Sequence, residues 1–327
     1  MLTRRTVLAA LAAMGACGNI GAAVADDYPS HPITMGMPFA AGGPGDVLAR
    51  IMAARMGQAL GQNVIVENIT GAAGSIGTGA VARAAPDGYS LIFGNWTTHV
   101  VDPVAYNLNY DATKDFAPVA LVATQPALII GSKSFPPNNL RELIAWLKAN
   151  PDKATSGNAG AGSATHVASV FFQRETGTRF QLVPYRGGAP AMADLLAGHI
   201  DMMFDLAADA LPQVRAGQVK AYAVTASTRM TAQPDIPTVD EAGAPGVYVA
   251  LWNGLWGPRG MPEAVIDKLD AAVIESLSDP KLRAKINDLG GEIAPRELQT
   301  PRGLADFQKA ETDKWWPVLK AAGIKPQ

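Results

Sequence analysis

The sequence predicts an α/β fold in which largely parallel strands alternate with helices. Short apolar runs alternate along the chain with stretches of helical spacing. Two glycine-rich loops each follow such a run and open a helix. The chain has 327 residues, 48% of them hydrophobic and 17% charged, and is long enough to bury one large or two medium cores.

The elements follow in order. Residues 33–39 read as a first strand. The turn Ala41-Gly42-Gly43-Pro44-Gly45 comes next, with Asp46 as the expected N-cap of a helix spaced on Val47, Leu48, Ile51, Met52 and Leu60. Residues 63–67 form a second strand, 74–83 a helix of small residues, Pro86-Asp87-Gly88 a turn and 90–93 a third strand. Residues 119–130 are a long β-rich run interrupted at Gln125-Pro126, suited to passing from one lobe to another. The helix 140–149 closes at Asn150-Pro151. The second glycine-rich loop, Gly157-Asn158-Ala159-Gly160-Ala161-Gly162, opens the helix 163–174. Strands at 181–183, 200–204 and 221–225 then alternate with helices at 189–197 and 209–216. After Pro237 the chain is expected to cross back, into an apolar run at 249–256 and helices at 262–278, 280–289 and 301–322.

Residues 1–25 stand apart. Arg4 and Arg5 precede an apolar run, and Ala23-Val24-Ala25 is an A-x-A cleavage signal, so the segment reads as a secretory signal peptide cleaved near Ala25. Thr3-Arg4-Arg5-Thr6-Val7-Leu8 leaves twin-arginine export open beside the general route. Cleavage there would remove the chain's one cysteine, Cys17; Met14-Gly15-Ala16 before it fits a lipidation signal poorly.

Composition excludes several functions. A formal charge of −2 gives no footprint for nucleic acid. One cysteine makes neither an internal disulfide nor a cysteine-based zinc site. No apolar run after the leader is long enough to span a bilayer. His31, His99, His166 and His199 lack metal-ligand spacing, so neither metal nor cofactor is expected. Neither glycine loop completes a dinucleotide fingerprint. Ala73-Gly74-Ser75-Ile76-Gly77 resembles a nucleophile elbow, which keeps an exported serine hydrolase using Ser75 as the alternative function. Asp201 and Asp205 sit at the two ends of a strand and turn, an arrangement of solvated edges more than of acid/base pairs.

The glycine loops admit two readings. Their glycines serve tight turns only, or they let two helix N-termini, one per lobe, clamp a carboxylate with backbone N–H groups. In α/β sheets ligands bind at the carboxyl ends of strands, where such helix starts converge.

Motifs in fixed order resemble one family across the chain after the leader: Tyr28-Pro29-Ser30-His31-Pro32-Ile33, Pro38-Phe39-Ala40-Ala41-Gly42-Gly43 with Asp46, Val66-Glu67-Asn68, residues 71–77, Ala84-Ala85-Pro86-Asp87-Gly88-Tyr89 and Asp115-Phe116-Ala117-Pro118-Val119. They continue with Gly160-Ala161-Gly162-Ser163, Val183-Pro184-Tyr185-Arg186-Gly187, Asp201-Met202-Met203-Phe204-Asp205, Ala223-Val224-Thr225, Pro234-Asp235-Ile236-Pro237-Thr238-Val239 and Glu241-Ala242-Gly243. The chain resembles the Bug family of periplasmic solute receptors of tripartite tricarboxylate transporters.

The resemblance implies a two-lobed periplasmic binding fold, a Venus flytrap with a helix-flanked sheet in each lobe. Lobe one would hold residues 26–125 and 240–327, lobe two 126–239, with hinges near Gln125 and Pro237. It implies capture of an organic carboxylate for a membrane permease, by a monomer, with no catalytic residue. The implied ligand-binding positions are Phe39, Ala40, Ala41, Gly42 and Gly43 in the first loop, Thr97 and Thr98 after the third strand, and Asn158, Ala159, Ser163, Thr165 and Asp205 in lobe two. Two departures stand out. Trp96, in Asn95-Trp96-Thr97-Thr98, replaces a smaller turn of the relatives and reads either as a packed wall or as an aromatic face for an aromatic or extended acid. Asp209 stands where relatives carry serine and reads as the cap of the helix after it or as a cleft acid. Tyr185 and Arg186 stay open as wall or loop residues.

Overall fold

A computed structural model describes residues 28–160, 163–288, 290–321 and 323–326. The expected leader, residues 1–25 with Cys17, lies outside them. Among the described residues no helix is long and apolar enough to cross a membrane, and no cluster of side chains could hold a metal ion.

The first sheet is built from β1 (Ile33–Met37), β2 (Val64–Asn68), β3 (Ser90–Asn95) and the first half of β4 (Phe116–Ser132), joined by β9 (Ala250–Pro258) and the short β10 (Glu292–Ile293). The order runs β2-β1-β3-β9-β4, parallel at β2-β1-β3 and antiparallel from β9 onward. Ile33, Met35 and Met37, on one face of β1, are buried in the core. α1 (Pro44–Leu60) begins with proline in its first turn and ends on Gly61 at φ 69°, where a left-handed C-cap favours glycine. Its N-cap is Gly43, not the expected Asp46. Asp46 lies in the first turn, and its Oδ2 accepts the N–H of Gly42 at 2.9 Å, the backward reach of a capping box. α2 (Ser75–Ala82) and α3 (Asp102–Ala105) complete the early part of the lobe.

The second sheet takes the far half of β4 together with β5 (Thr155–Asn158), β6 (Gln181–Pro184), β7 (Met202–Leu206) and β8 (Val219–Val224), in the order β4-β7-β5-β6 with β8 also pairing β4. Its helices are α4 (Leu140–Ala149), α5 (Ala164–Thr176), α6 (Gly188–Ala197) and α7 (Ala207–Arg215). The expected cap at Asp209 does not form. α7 already starts at Ala207, because Leu206 before it is extended at ψ 144°, and Asp209 falls inside the first turn. After β9 come α8 (Glu263–Ser278), α9 (Pro280–Asp288) and α10 (Pro301–Ala321).

β4 does not break at Gln125-Pro126. It runs as a 17-residue strand shared by both sheets, and Gln125 and Pro126 pair with Leu251 and Ala250 where it passes between them. The return crossing lies later than Pro237. Thr238 still forms a parallel bridge with Val224 of β8, and Glu241 O accepts from Arg141 of α4 at 3.0 Å, so this segment packs on lobe two. The crossing occurs at Val249, and the expected division at residue 239 moves with it. Thr225 ties both crossings. Its Oγ1 lies 2.6 Å from Val249 O and 2.9 Å from Ala127 O, and accepts the Ala127 N–H at 3.1 Å. Thr225 is fully buried. Replacing it by valine keeps shape and removes these bonds, so Thr225→Val should lower stability by about 1–3 kcal/mol. Urea unfolding checks this; an unchanged midpoint would remove Thr225 from the hinge.

Candidate functional site

The predicted ligand positions lie at or after the carboxyl ends of strands in both lobes, in the turns and helix starts that follow. In lobe one, β1 delivers Phe39, Ala40, Ala41, Gly42 and Gly43. Phe39 is half-buried, Ala40, Ala41 and Gly42 are exposed, and Gly42 has φ 87°. Gly43 caps α1 without a side-chain bond, which leaves N–H donors of that helix start to other acceptors. Beneath the loop Asp46 is nearly fully buried. It accepts from Gly42 and from Arg50 Nε at 2.9 Å, and from Asn68 Nδ2 at 2.8 Å, while Asn68 Nδ2 also reaches Phe39 O. The Arg50 bond first of all, with Gly42 and Asn68, holds the Asp46 carboxyl down to about 2. This loop is braced by a fixed negative charge through its Gly42 N–H.

After β3 the chain makes a π turn over Thr97–Val101. Thr98 is fully buried, and its hydroxyl is spent on the fold: it accepts the Asn95 N–H at 3.0 Å and lies 2.9 Å from His99 Nδ1. Burial holds His99 down to about 3, and its ring stacks on Trp256 at 3.8 Å, so it is a neutral core histidine. Thr98 thus shapes the turn, while Thr97 lines the cleft. Trp96 is 1% exposed, and its ring meets Trp315 of α10 edge to face at 5.5 Å.

In lobe two, Asn158 ends β5 fully buried, its Oδ1 accepting the Gly160 N–H at 3.0 Å. Ser163 caps α5 through the His166 N–H at 3.2 Å. Its hydroxyl lies 3.2 Å from that of Thr165, which accepts the Ala159 N–H at 2.9 Å. The two hydroxyls therefore hold the loop against the helix start. Asp205 ends β7 at 2% exposure, with Oδ1 accepting the Leu206 N–H at 3.0 Å. Burial, then the neighbouring Asp209 carboxylate, push Asp205 up to about 7 against the pull of that N–H. Asp209 is raised by burial too. α6 and α7 both start without a side-chain cap, at Gly187 and Leu206. Tyr185 is committed to Asp194 Oδ2 at 2.6 Å, and Asp201 to the Thr155 N–H and hydroxyl at 2.8 and 2.9 Å.

The lobes enclose two adjoining spaces that share Ala164. An outer cavity of about 530 Å³ is lined by Ala73, Thr97 and Asp102 of lobe one, Ser163 and His166 of lobe two, and residues 323–326 after α10. An inner chamber of about 10 Å³ lies between Trp96, Thr165, Leu206 and the crossing residues Ala127, Val249, Ala250 and Leu251. The structure thus brings Trp96, Thr97, Ser163 and Thr165 to these spaces. The first loop, Thr98, Asn158, Ala159 and Asp205 line neither. Ala73, Asp102, His166 and the crossing residues were not read from the sequence as cleft residues. Ala72 and Ala73 stand at φ 44° and 54°, strained for alanine, with Gly74 pressed against Phe39, Pro38 and Thr98. The doubled alanine between Gly71 and Gly74 gives no sign of that backbone.

Two helix-flanked sheets that share β4, with cavities lined from both, have the layout of a two-lobed solute-binding protein. The sequence profile of the tripartite tricarboxylate transporter family receptor matches residues 48–324, and the chain belongs to that family. It is 32% identical over 326 residues to the protein BugT of Bordetella pertussis, covering 98% of each chain. Among solved structures it is similar to the periplasmic binding protein BugD, at 41% identity and TM-score 0.73 over 92% of this chain and 100% of that one. It is similar to MatC of Rhodopseudomonas palustris with bound malate, at 38% identity and TM-score 0.73 over 89% and 100%. It is also similar to an R. palustris protein with adipate, at 32% identity and TM-score 0.76 over 92% and 100%. The fold is that of a periplasmic binding protein, and the chain is a Bug-type receptor.

The raised Asp205 carboxyl sets the sign of a pH effect. The folded protein binds this proton more tightly than the unfolded chain, so this group's contribution to stability is full near pH 4 and is lost as pH rises through about 7. Asp205→Asn should remove that slope, which for one proton is at most about 1.4 kcal/mol per pH unit. Urea unfolding of both proteins between pH 4 and 7 should give converging or crossing curves; parallel ones would show Asp205 titrating normally.

Proposed function

We propose that the protein captures an organic carboxylate between its lobes and delivers it to a membrane permease, without chemistry. The uncapped starts of α1 and α6, on opposite lobes, carry this reading: they offer backbone donors and partial positive charge to an anion without spending a lysine or arginine on it. Malate and adipate in the relatives' structures support a carboxylate ligand. The first-loop residues 39–43, with Thr97, Asn158, Ala159, Ser163, Thr165 and Asp205, form the binding surface in this proposal, and Thr98 positions Thr97. The leader is cleaved near Ala25, the mature receptor acts in the periplasm as a monomer, and the lobes close about β4 and β9. Ser75 has a poor setting for a nucleophile: the hollow it lines, with Ile76, Arg83, Tyr106 and Asn107, includes no histidine and no carboxylate.

A thermal-shift panel of malate, adipate, other dicarboxylates and aromatic acids tests the ligand class. A cognate acid at 100 times its Kd should stabilise by about 2.7 kcal/mol. Shifts caused only by neutral or cationic compounds would overturn the carboxylate reading. In the same assay Ser75→Ala should keep its ligand shift unchanged.

A further inference from the structure

A further hollow lies on lobe one, away from the cleft. Its volume is about 520 Å³, close to that of the outer cavity between the lobes, and it shares no lining residue with either interlobe space. Ring side chains wall it: Phe116 and Pro118 from the start of β4, Trp256 from β9 and Trp316 from α10. Concave sites of this size, mostly apolar and with few polar groups, are where small molecules bind.

Most polar groups of this hollow already have partners. The Trp256 indole N–H donates to Gln308 Oε1 at 3.2 Å, and Gln308 Nε2 donates to Ala112 O at 2.9 Å. The Trp316 indole N–H donates to Val100 O at 3.0 Å, and the Thr113 hydroxyl to Asp111 Oδ1 at 2.6 Å. Thr312 of α10 differs. It lines the hollow at 6% exposure, and its hydroxyl has no hydrogen-bond partner among the described residues. A buried hydroxyl left unpaired costs about 1–3 kcal/mol, which a ligand group that meets it recovers. The charges at the edge are matched as well. Lys114 lies 2.8 Å from Asp111, Asp306 3.5 Å from Arg302 and Lys309 2.5 Å from Asp313. Each charged lining residue therefore has an opposite charge beside it.

We propose that this hollow is a second binding site, for small neutral aromatic molecules that carry a hydroxyl group. The rings of Phe116, Trp256 and Trp316 offer edge-to-face packing to a flat ring. The Thr312 hydroxyl both donates and accepts, so it pairs with a phenolic hydroxyl in either sense. A hydrocarbon of the same shape leaves it unpaired, and sites of this kind reject such analogues. A carboxylate finds the lining lysines already paired. Both tryptophans also stand behind the turn that carries Thr97. Trp316 holds Val100 O, and Trp256 stacks on His99 at 3.8 Å. An occupant thus rests on supports of that turn without entering the interlobe spaces. The inference does not depend on the carboxylate reading of the cleft.

The probes are phenol and p-cresol, with toluene and p-toluate as matched controls, followed by the Trp316 indole 1H–15N resonance of the mature protein. Phenol and p-cresol should move it saturably, and p-cresol should bind at least about 5-fold tighter than toluene or p-toluate. Thr312→Val keeps the side chain's shape and should bring p-cresol and toluene to about equal affinity. Ala305→Trp fills the hollow from an exposed position of α10 and should abolish the shift in a folded protein. A resonance unmoved by both phenols, a shift that survives Ala305→Trp, or a p-cresol preference unchanged in folded Thr312→Val overturns the inference. So does p-toluate bound there as tightly as p-cresol. None of these outcomes alters the receptor reading, which the thermal-shift panel tests at the cleft.

Discussion

One strand belongs to both halves of the molecule. β4 pairs with β9 through Pro126 and with β7 and β8 beyond it, so the lobes are joined by continuous hydrogen-bonded backbone. That sharing explains the cleft's inner wall. Ala127, Val249 and Ala250 stand where the strands cross, and their small side chains leave the inner chamber between the sheets. It also explains the cores. One cluster packs α1 and α8 on the first sheet and another packs α6 and α7 on the second, while the largest runs through both lobes. α10 is the main bridge of this third core. Trp315 meets Trp96 of lobe one and Phe171 of lobe two, and Lys314 reaches Tyr248 O at 2.7 Å beside the return crossing. Glu311 receives the indole N–H groups of Trp252 and Trp315, both at 3.0 Å, which fixes the helix across the crossing strands. A change in the angle between the lobes must bend β4 and β9 and slide these rings on one another.

The low charge content follows from the way the cleft is built. Where helix starts supply donors, basic side chains are unnecessary, and the charged groups near the loops brace them. Asp46 is the clearest case: Arg50 pairs its charge, while the Asn68 amide and the Gly42 N–H donate to it. Asp205 is the opposite case. Among the described residues no cation pairs with it, and burial raises its carboxyl to about 7.

Much of the fold was legible because its signals are local. Alternating Val64 and Val66, the proline opening α1, the Asn150-Pro151 stop and Pro262 ahead of α8 all act within a few residues. The failures are tertiary. Pro126 suggests a break, but it pairs where β4 changes sheets, a position at which a missing N–H is tolerated. Pro237 suggests a crossing, but the Thr238–Val224 bridge keeps that segment on lobe two. Asp46 and Asp209 are good caps by type, and the backbone angles of Gly43 and Leu206 placed the helix starts elsewhere. Near the site, the glycine-rich turns ahead of α1 and α5 were readable. The buried hydroxyl of Thr98 was not, because its partners are set by a π turn that no residue pattern announces.

Family resemblance and individual specificity therefore rest on different parts of the cleft. Backbone donors at helix starts depend on glycine, proline and strand length more than on particular side chains. Such donors recognise a carboxylate and little else about its bearer. Discrimination between bearers needs side chains, and among the described residues the Asp102 carboxyl in the outer cavity and the Trp96 indole N–H at the inner chamber are buried without a partner. Trp96 owes its place to the turn after β3, where the Asn95–Thr98 bonds hold the backbone whatever residue lies between them.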